Sequence, residues 1–343
     1  MTIGSFIMEI EKIAKLMLAP GKGILAADES TGTMTKRLDS VGVPSTPENR
    51  LNFRETLFTS NKAKDYISGV ILYDETLRQT TSQGISIPAL LEKQNIIPGI
   101  KVDTGVKPLA GSAEETITEG LNGLRERLQE YYQLGARFAK WRGVYKISNI
   151  YPSEAAIVAN AHSLARYAAL VQEANMVPIV EPEVLMDGKH DMQKCFDVTA
   201  RVLHECFHQL KIAKVKLEGI VLKPNMILNG SESGIKNENE MVAKKTLECI
   251  KSNVPEEVPG IAFLSGGQTE LEATRNLNAI NKINNTEFVF TFSYGRALQQ
   301  SALKKWAEDI TNASDTQNEF IVRALMNSLA SKGEWNEAKE IAA

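Results

Sequence analysis

Eight short apolar runs recur along this chain, separated by longer stretches of helical periodicity, and no other feature restricts the fold as strongly. They are GILAAD (23–28), ISGVILYD (67–74), IIPGIKVD (96–103), ARFAKW (136–141), VPIVEPE (177–183), EGIVLKP (218–224), GIAFLSG (260–266) and FVFTFS (288–293). Their shortness, β-branched content and flanking Gly or Pro mark them as strands rather than buried helix segments. Between them lie amphipathic patterns. The spacing of Ile117, Leu121, Leu124, Leu128 and Tyr131 predicts a helix over Glu115–Leu134, and Ser153–Ala174 opens as a helix behind Pro152. Strands alternating with helices imply parallel pairing through helical crossovers. Eight of them predict an α/β fold, a closed (β/α)8 TIM barrel, and no GxGxxG opens a dinucleotide-binding sheet.

A length of 343 residues fits either two domains or one elaborated barrel. No Pro- or Ser-rich linker and no charge block divides the chain, which predicts a single domain over 1–343. The barrel is expected over about 21–310, with a C-terminal helix and tail over about 311–343. Met1–Leu18 carries Glu9 and Glu11 within its apolar pattern and reads as an extra amphipathic helix, not a signal peptide. The 39 Lys and Arg against 42 Asp and Glu argue against a nucleic-acid face or a polybasic membrane anchor. No apolar run reaches the roughly 18–20 residues of a membrane span. Cys195, Cys206 and Cys249 lack CxxC spacing and leave one unpaired, which suggests a reducing, cytoplasmic setting.

In such a barrel the reactive groups sit where strands end. Here those ends are polar: Asp28, then Lys101 and Asp103, Lys140 and Arg142, Glu181 and Glu183, Lys223, Ser265 and Ser293. The i,i+2 pairs share a strand face by the period of two. Any one charge could be a solvated strand end, but lone charges in a crowded rim are costly to bury. Lys223 closes the apolar stretch Gly219–Leu222 and precedes Pro224. Desolvation there, with Lys140 as a second cation, favours the free amine that Schiff-base chemistry needs. The alternative is a lysine that snorkels or forms a plain ion pair. A carboxylate on the intervening strand could shuttle protons.

The last two runs end in FLSGGQ (263–268) and TFSYGR (291–296). Glycines past a strand let backbone N–H groups approach a phosphate, so Ser265, Gly266, Gly267, Ser293, Gly295 and Arg296 form a candidate anion cradle. Ser30, Thr33 and Arg37, with Lys101, suggest a second. Two anion sites flanking a lysine imply a sugar phosphorylated at both ends. His204-Glu205-Cys206-Phe207-His208 matches HExxH literally. It lacks the extended zinc pattern and any carboxylate at Leu228–Asn229, and it sits on a helix away from the strand ends, so it reads as a chance match.

The segments GKGILAADES (21–30), KVDTGV (101–106), AKWRGVYKI (139–147), PIVEPEVL (178–185), GIVLKPNM (219–226), LSGGQ (264–268) and FSYGRALQ (292–299) resemble class I fructose-1,6-bisphosphate aldolase. The resemblance runs in order from about Gly21 to Trp335. It implies Lys223 as the Schiff-base lysine, Glu181 as general acid–base, and Asp28 as acceptor of the C4 hydroxyl proton. It implies that Lys140 and Glu183 tune the site and that Lys101 and Arg142 are further cations. Ser265, Gly266, Gly267, Ser293, Gly295 and Arg296 would bind the ketone-side phosphate, and Thr33, Arg37 and Arg50 the aldehyde side. It further implies a metal-independent enzyme of glycolysis and gluconeogenesis, without cofactor, assembled as a homotetramer. Many animal members end in a Tyr that reaches the active site, whereas the last Tyr of this chain is Tyr294. Another Schiff-base barrel aldolase or transaldolase, and a non-catalytic binding role, remain as alternatives.

Overall fold

A computed structural model describes residues 3–342; Met1 and Thr2 of the expected N-terminal helix, and Ala343, lie outside them. Among the described residues ten strands are formed: β1 (Gly23–Ala27), β2 (Ile67–Leu72), β3 (Ile97–Lys101), β4 (Val106–Pro108), β5 (Thr116–Thr118), β6 (Phe138–Tyr145), β7 (Val177–Val184), β8 (Val221–Leu222), β9 (Gly260–Phe263) and β10 (Val289–Tyr294). Eight close a parallel barrel in the order β1-β10-β9-β8-β7-β6-β3-β2, one from each apolar run. The fold is a (β/α)8 barrel, with helices Arg296–Glu308, Ala313–Ala330 and Glu337–Ala342 after the last strand.

Two apolar layers hold it together. Inside the barrel, Ile24, Ala26, Ile71, Phe138, Val177, Ile179, Val221 and Ala262 pack against Ile10, Ala14 and Met17 of the first helix, Ile3–Met17, and against Leu18 just after it. That helix therefore plugs the end of the barrel opposite the strand C-termini. The outer layer joins strands to helices and includes Trp141, Tyr167, Leu203, Phe263, Phe290 and Trp306. Interior width is set by size matching: a Cβ on Gly99 would lie 2.2 Å from the Phe138 ring, and one on Gly69 2.9 Å. The ring occupies space that only glycines on the adjoining strands leave free.

The helix expected over Glu115–Leu134 is corrected. Only Leu124–Gln133 is helical, while Thr116–Thr118 pairs antiparallel with Val106–Pro108. Gly120 and Gly123, with φ of +127° and +66°, break the helical pattern between the two parts. The Glu115 carboxylate fastens this hairpin by accepting from the backbone N–H and hydroxyl of Ser153, at 2.7 and 2.6 Å. Ser153 caps the helix Glu154–Glu173, close to the expected start.

Candidate active site

A cleft of about 380 Å³ opens at the C-terminal ends of the barrel strands. Its floor is built from strand-end side chains. Lys101, Lys140, Glu181 and Glu183 all line it, together with Asp103 and Arg142, so each i,i+2 pair does aim both members inward. Register explains the neighbours: Lys101 lies opposite Lys140, and Arg142 opposite Glu181. Lys223 enters just past the two-residue β8, its backbone N–H donating to the Val180 carbonyl at 2.8 Å.

Four buried charges meet in a chain. Lys223 Nζ lies 3.2 Å from Glu181 Oε1, and Lys140 Nζ lies 3.4 Å from Glu181 Oε2 and 2.7 Å from Asp28 Oδ2. Glu181 thus bridges the two lysines through separate oxygens. Burial opposes ionisation of Asp28, but Lys140, Lys223 and Lys101 outweigh it and lower its pKa from 3.8 to about 2. Burial likewise disfavours the Lys140 ammonium, and Asp28, Glu181 and Asp103 overcome it, holding its pKa above the ordinary lysine value. To one side, Arg142 pairs with Glu183; burial works against the guanidinium, yet this pairing raises its pKa. Asp103 holds Lys101 at 2.8 Å and accepts from the Gly105 backbone N–H at 3.1 Å.

The loop after β9 supplies Ser265 and Gly266 to the cleft wall, and the end of β10 with the turn after it supplies Ser293, Gly295 and Arg296. The Ser293 hydroxyl is buried without a protein partner, an unusual state unless the group serves something that binds. A Cβ on Gly266 would lie 2.8 Å from a Glu183 carboxylate oxygen, so glycine lets this loop and Glu183 approach closely. Thr33 and Arg37 line the cleft from the helix Thr31–Asp39, with Ser30 as its N-cap.

Two expected site residues are not brought to the cleft. Arg50 is buried on the helix Pro47–Phe58, where it donates to Glu75 at 3.0 Å and to the Ser45 carbonyl at 2.9 Å. Gly267, at φ +77°, shapes the turn, facing Met186 rather than the opening. Arg37 borders the β10 loop: its Nη2 lies 3.8 Å from the position of a Cβ on Gly295. Glu29, which also lines the cleft, was not legible as a site residue, because its only sequence signal is adjacency to Asp28.

This constellation can be compared with known proteins. The family model for fructose-bisphosphate aldolase class-I matches residues 9–343. The chain belongs to the class I fructose-bisphosphate aldolase family. A probable fructose-bisphosphate aldolase class 1 from Xanthomonas campestris is 51% identical, over 96% of this chain and 99% of the relative. A cytosolic fructose-bisphosphate aldolase 4 from Arabidopsis thaliana is 53% identical, over 92% of this chain and 80% of the relative. The solved aldolase of Plasmodium falciparum, in complex with TRAP and a small-molecule inhibitor, superposes with a TM-score of 0.95 at 44% identity. That match covers 97% of this chain and 96% of the other. The cleft described above is the candidate site of this class I aldolase chain.

The HExxH segment lies elsewhere. His204 and His208 are exposed on the outer helix Met192–Ile212. Among the described residues, no group of three or more His, Cys, Asp or Glu side chains is placed to hold a metal ion.

Proposed function

We propose that this chain cleaves fructose 1,6-bisphosphate reversibly to dihydroxyacetone phosphate and glyceraldehyde 3-phosphate through a Schiff base on Lys223. One observation carries the reading: a buried lysine amine 3.2 Å from a buried glutamate, at the base of a cleft walled by anion-binding loops. Lys140 is tied to Asp28 and Glu181, and Lys223, at the base of the cleft, is the nucleophile for attack on the keto carbon. Glu181, in reach of Lys223, donates the proton with which the carbinolamine hydroxyl departs as water. The resulting iminium draws the electrons of the C3–C4 bond toward nitrogen. Asp28, ionised at neutral pH, is the acceptor for the C4 hydroxyl proton as the aldehyde leaves and an enamine remains. Ser265, Gly266, Ser293, Gly295 and Arg296 hold the ketone-side phosphate; Ser30, Thr33 and Lys101 face the other end. These groups form one domain over 1–343, working in glycolysis and gluconeogenesis. The cytosolic and cytoplasmic isozymes among the plant relatives support a cytoplasmic setting, and the family resemblance supports a homotetramer.

Borohydride added with fructose 1,6-bisphosphate should fix one adduct on Lys223, read by mass spectrometry, in buffer with EDTA as in buffer without. Lys223→Ala should take no adduct and lose at least about 1,000-fold in kcat, the loss expected on removing a nucleophile. An active, unlabelled variant would overturn the mechanism. A transaldolase or keto-acid aldolase would not need a phosphate at both ends, so equal affinity for sugars lacking either phosphate would favour that reading.

A further inference from the structure

Glu29 follows Asp28 directly, yet it belongs to a different network. Its carboxylate, 4% exposed, accepts from Arg37, from Arg54 Nη2 at 3.5 Å and from Gln299 Nε2 at 3.1 Å. These donors sit on three helices: Thr31–Asp39, Pro47–Phe58 and Arg296–Glu308. Two of them are fixed at a second point. Arg54 also donates to the Glu29 carbonyl and the Thr76 hydroxyl, both at 2.8 Å, and Gln299 to the Ala26 carbonyl at 2.7 Å. Arg54 and Gln299 are almost wholly buried, so this clamp cannot easily shift.

The charges also balance in a telling way. Arg37 and Arg54 share the Glu29 carboxylate, while nearby Glu75 pairs with Arg50 and lies 4.0 Å from Arg54. Two carboxylates meet three guanidiniums, so the network carries one positive charge in excess, and Arg37 is its partly open cation that lines the cleft. Without Arg54, Glu29 would cancel Arg37 and repel an anion; without Glu29, nothing in the network would hold the long Arg37 side chain in place. We infer that Glu29, clamped by Arg54 and Gln299, is a positioning residue that sets the Arg37 guanidinium beside Gly295, to bind the phosphate cradled by the loops after β9 and β10. The inference rests on the aldolase reading for its substrate but not for its geometry.

The test compares Glu29→Gln with the unaltered chain on fructose 1,6-bisphosphate and on fructose 1-phosphate. Binding of inorganic phosphate is measured separately by calorimetry. Loss of one charge-assisted positioning contact should raise KM about tenfold for both sugars, with kcat within about twofold, and weaken phosphate binding by a similar factor. An unchanged KM in a folded variant, or a fall in kcat alone, overturns the proposal. A loss confined to the bisphosphate also overturns it, because Arg37 would then serve the opposite phosphate. Should Glu29→Gln not fold, Gln299→Met removes one arm of the clamp and leaves every charge in place. It should raise KM about threefold for both sugars, and no change in KM would count equally against the idea. If the unaltered chain turns over neither sugar, the aldolase reading fails, while the phosphate titration still decides the role of Glu29.

Discussion

Asp28 shows how a single side chain can be decided by competition. Burial alone would raise its pKa, but the neighbouring ammonium groups lower it from 3.8 to about 2. The folded state therefore prefers the ionised form by about 2 kcal/mol. A lowered carboxylate pKa contributes fully above the unfolded value and is lost as pH falls through the folded one, so the window runs from about pH 4 down to about 2. Urea unfolding of Asp28→Asn should accordingly show a stability gap to the unaltered chain that narrows by about 2 kcal/mol across that window. A gap constant with pH would show that the carboxylate is not held down as described. The strand-end charges were legible because period two and the end of an apolar run suffice to aim them. Their pairing was not: Lys140 meets Asp28 and Glu181, and Glu183 meets Arg142. Which carboxylate meets which cation depends on register and stagger between strands, which residue order along one strand does not encode.

At the scale of elements, strands were easier to read than helices. Each apolar run became a barrel strand, although the fourth continues to Tyr145 and the sixth shrinks to two residues. The segment from Glu115 failed as a helix because its partner strand begins at Val106 and β pairing is not local. Thr116 and Thr118 satisfy that pairing, and Thr118 is further held by Asn160 and the Arg142 carbonyl. The glycines at 120 and 123 were the overlooked signal. A second local rule operates inside the barrel, where Phe138 requires small neighbours. Gly99→Ala would drive a methyl group into that ring and should destabilise the fold by about 3 kcal/mol or more, above the usual overpacking cost because the contact would be 2.2 Å. Thermal unfolding of this variant, and of Gly99→Ala with Phe138→Leu, checks it. The double variant should recover part of the loss, and equal losses would place the cost elsewhere.

Across the whole molecule, the cations that matter are few and gathered. A formal charge of −3 conceals a rim where Lys101, Lys140, Arg142, Lys223, Arg37 and Arg296 converge. The three cysteines are free and buried, with burial raising their pKa values to about 11 for Cys195 and about 12 for Cys206 and Cys249, so they lie apart from this chemistry. Among the described residues no helix is long and apolar enough to cross a membrane. Light scattering at micromolar concentration should give the mass of four chains of 37.8 kDa; a monomer would remove the proposed tetramer without touching the single-chain cleft. The sequence by itself determined the eight strands, their parallel closure and the lysine at the end of the sixth run. Local periodicity and turn chemistry carry that information, and a barrel then forces the strand ends together. Only the tertiary structure decided that Glu181 bridges two lysines, that Arg50 faces Glu75 instead of the cleft, and that Glu29 holds Arg37. Those contacts join residues from 8 to 42 positions apart, and packing around the barrel, rather than local sequence, brings them within reach.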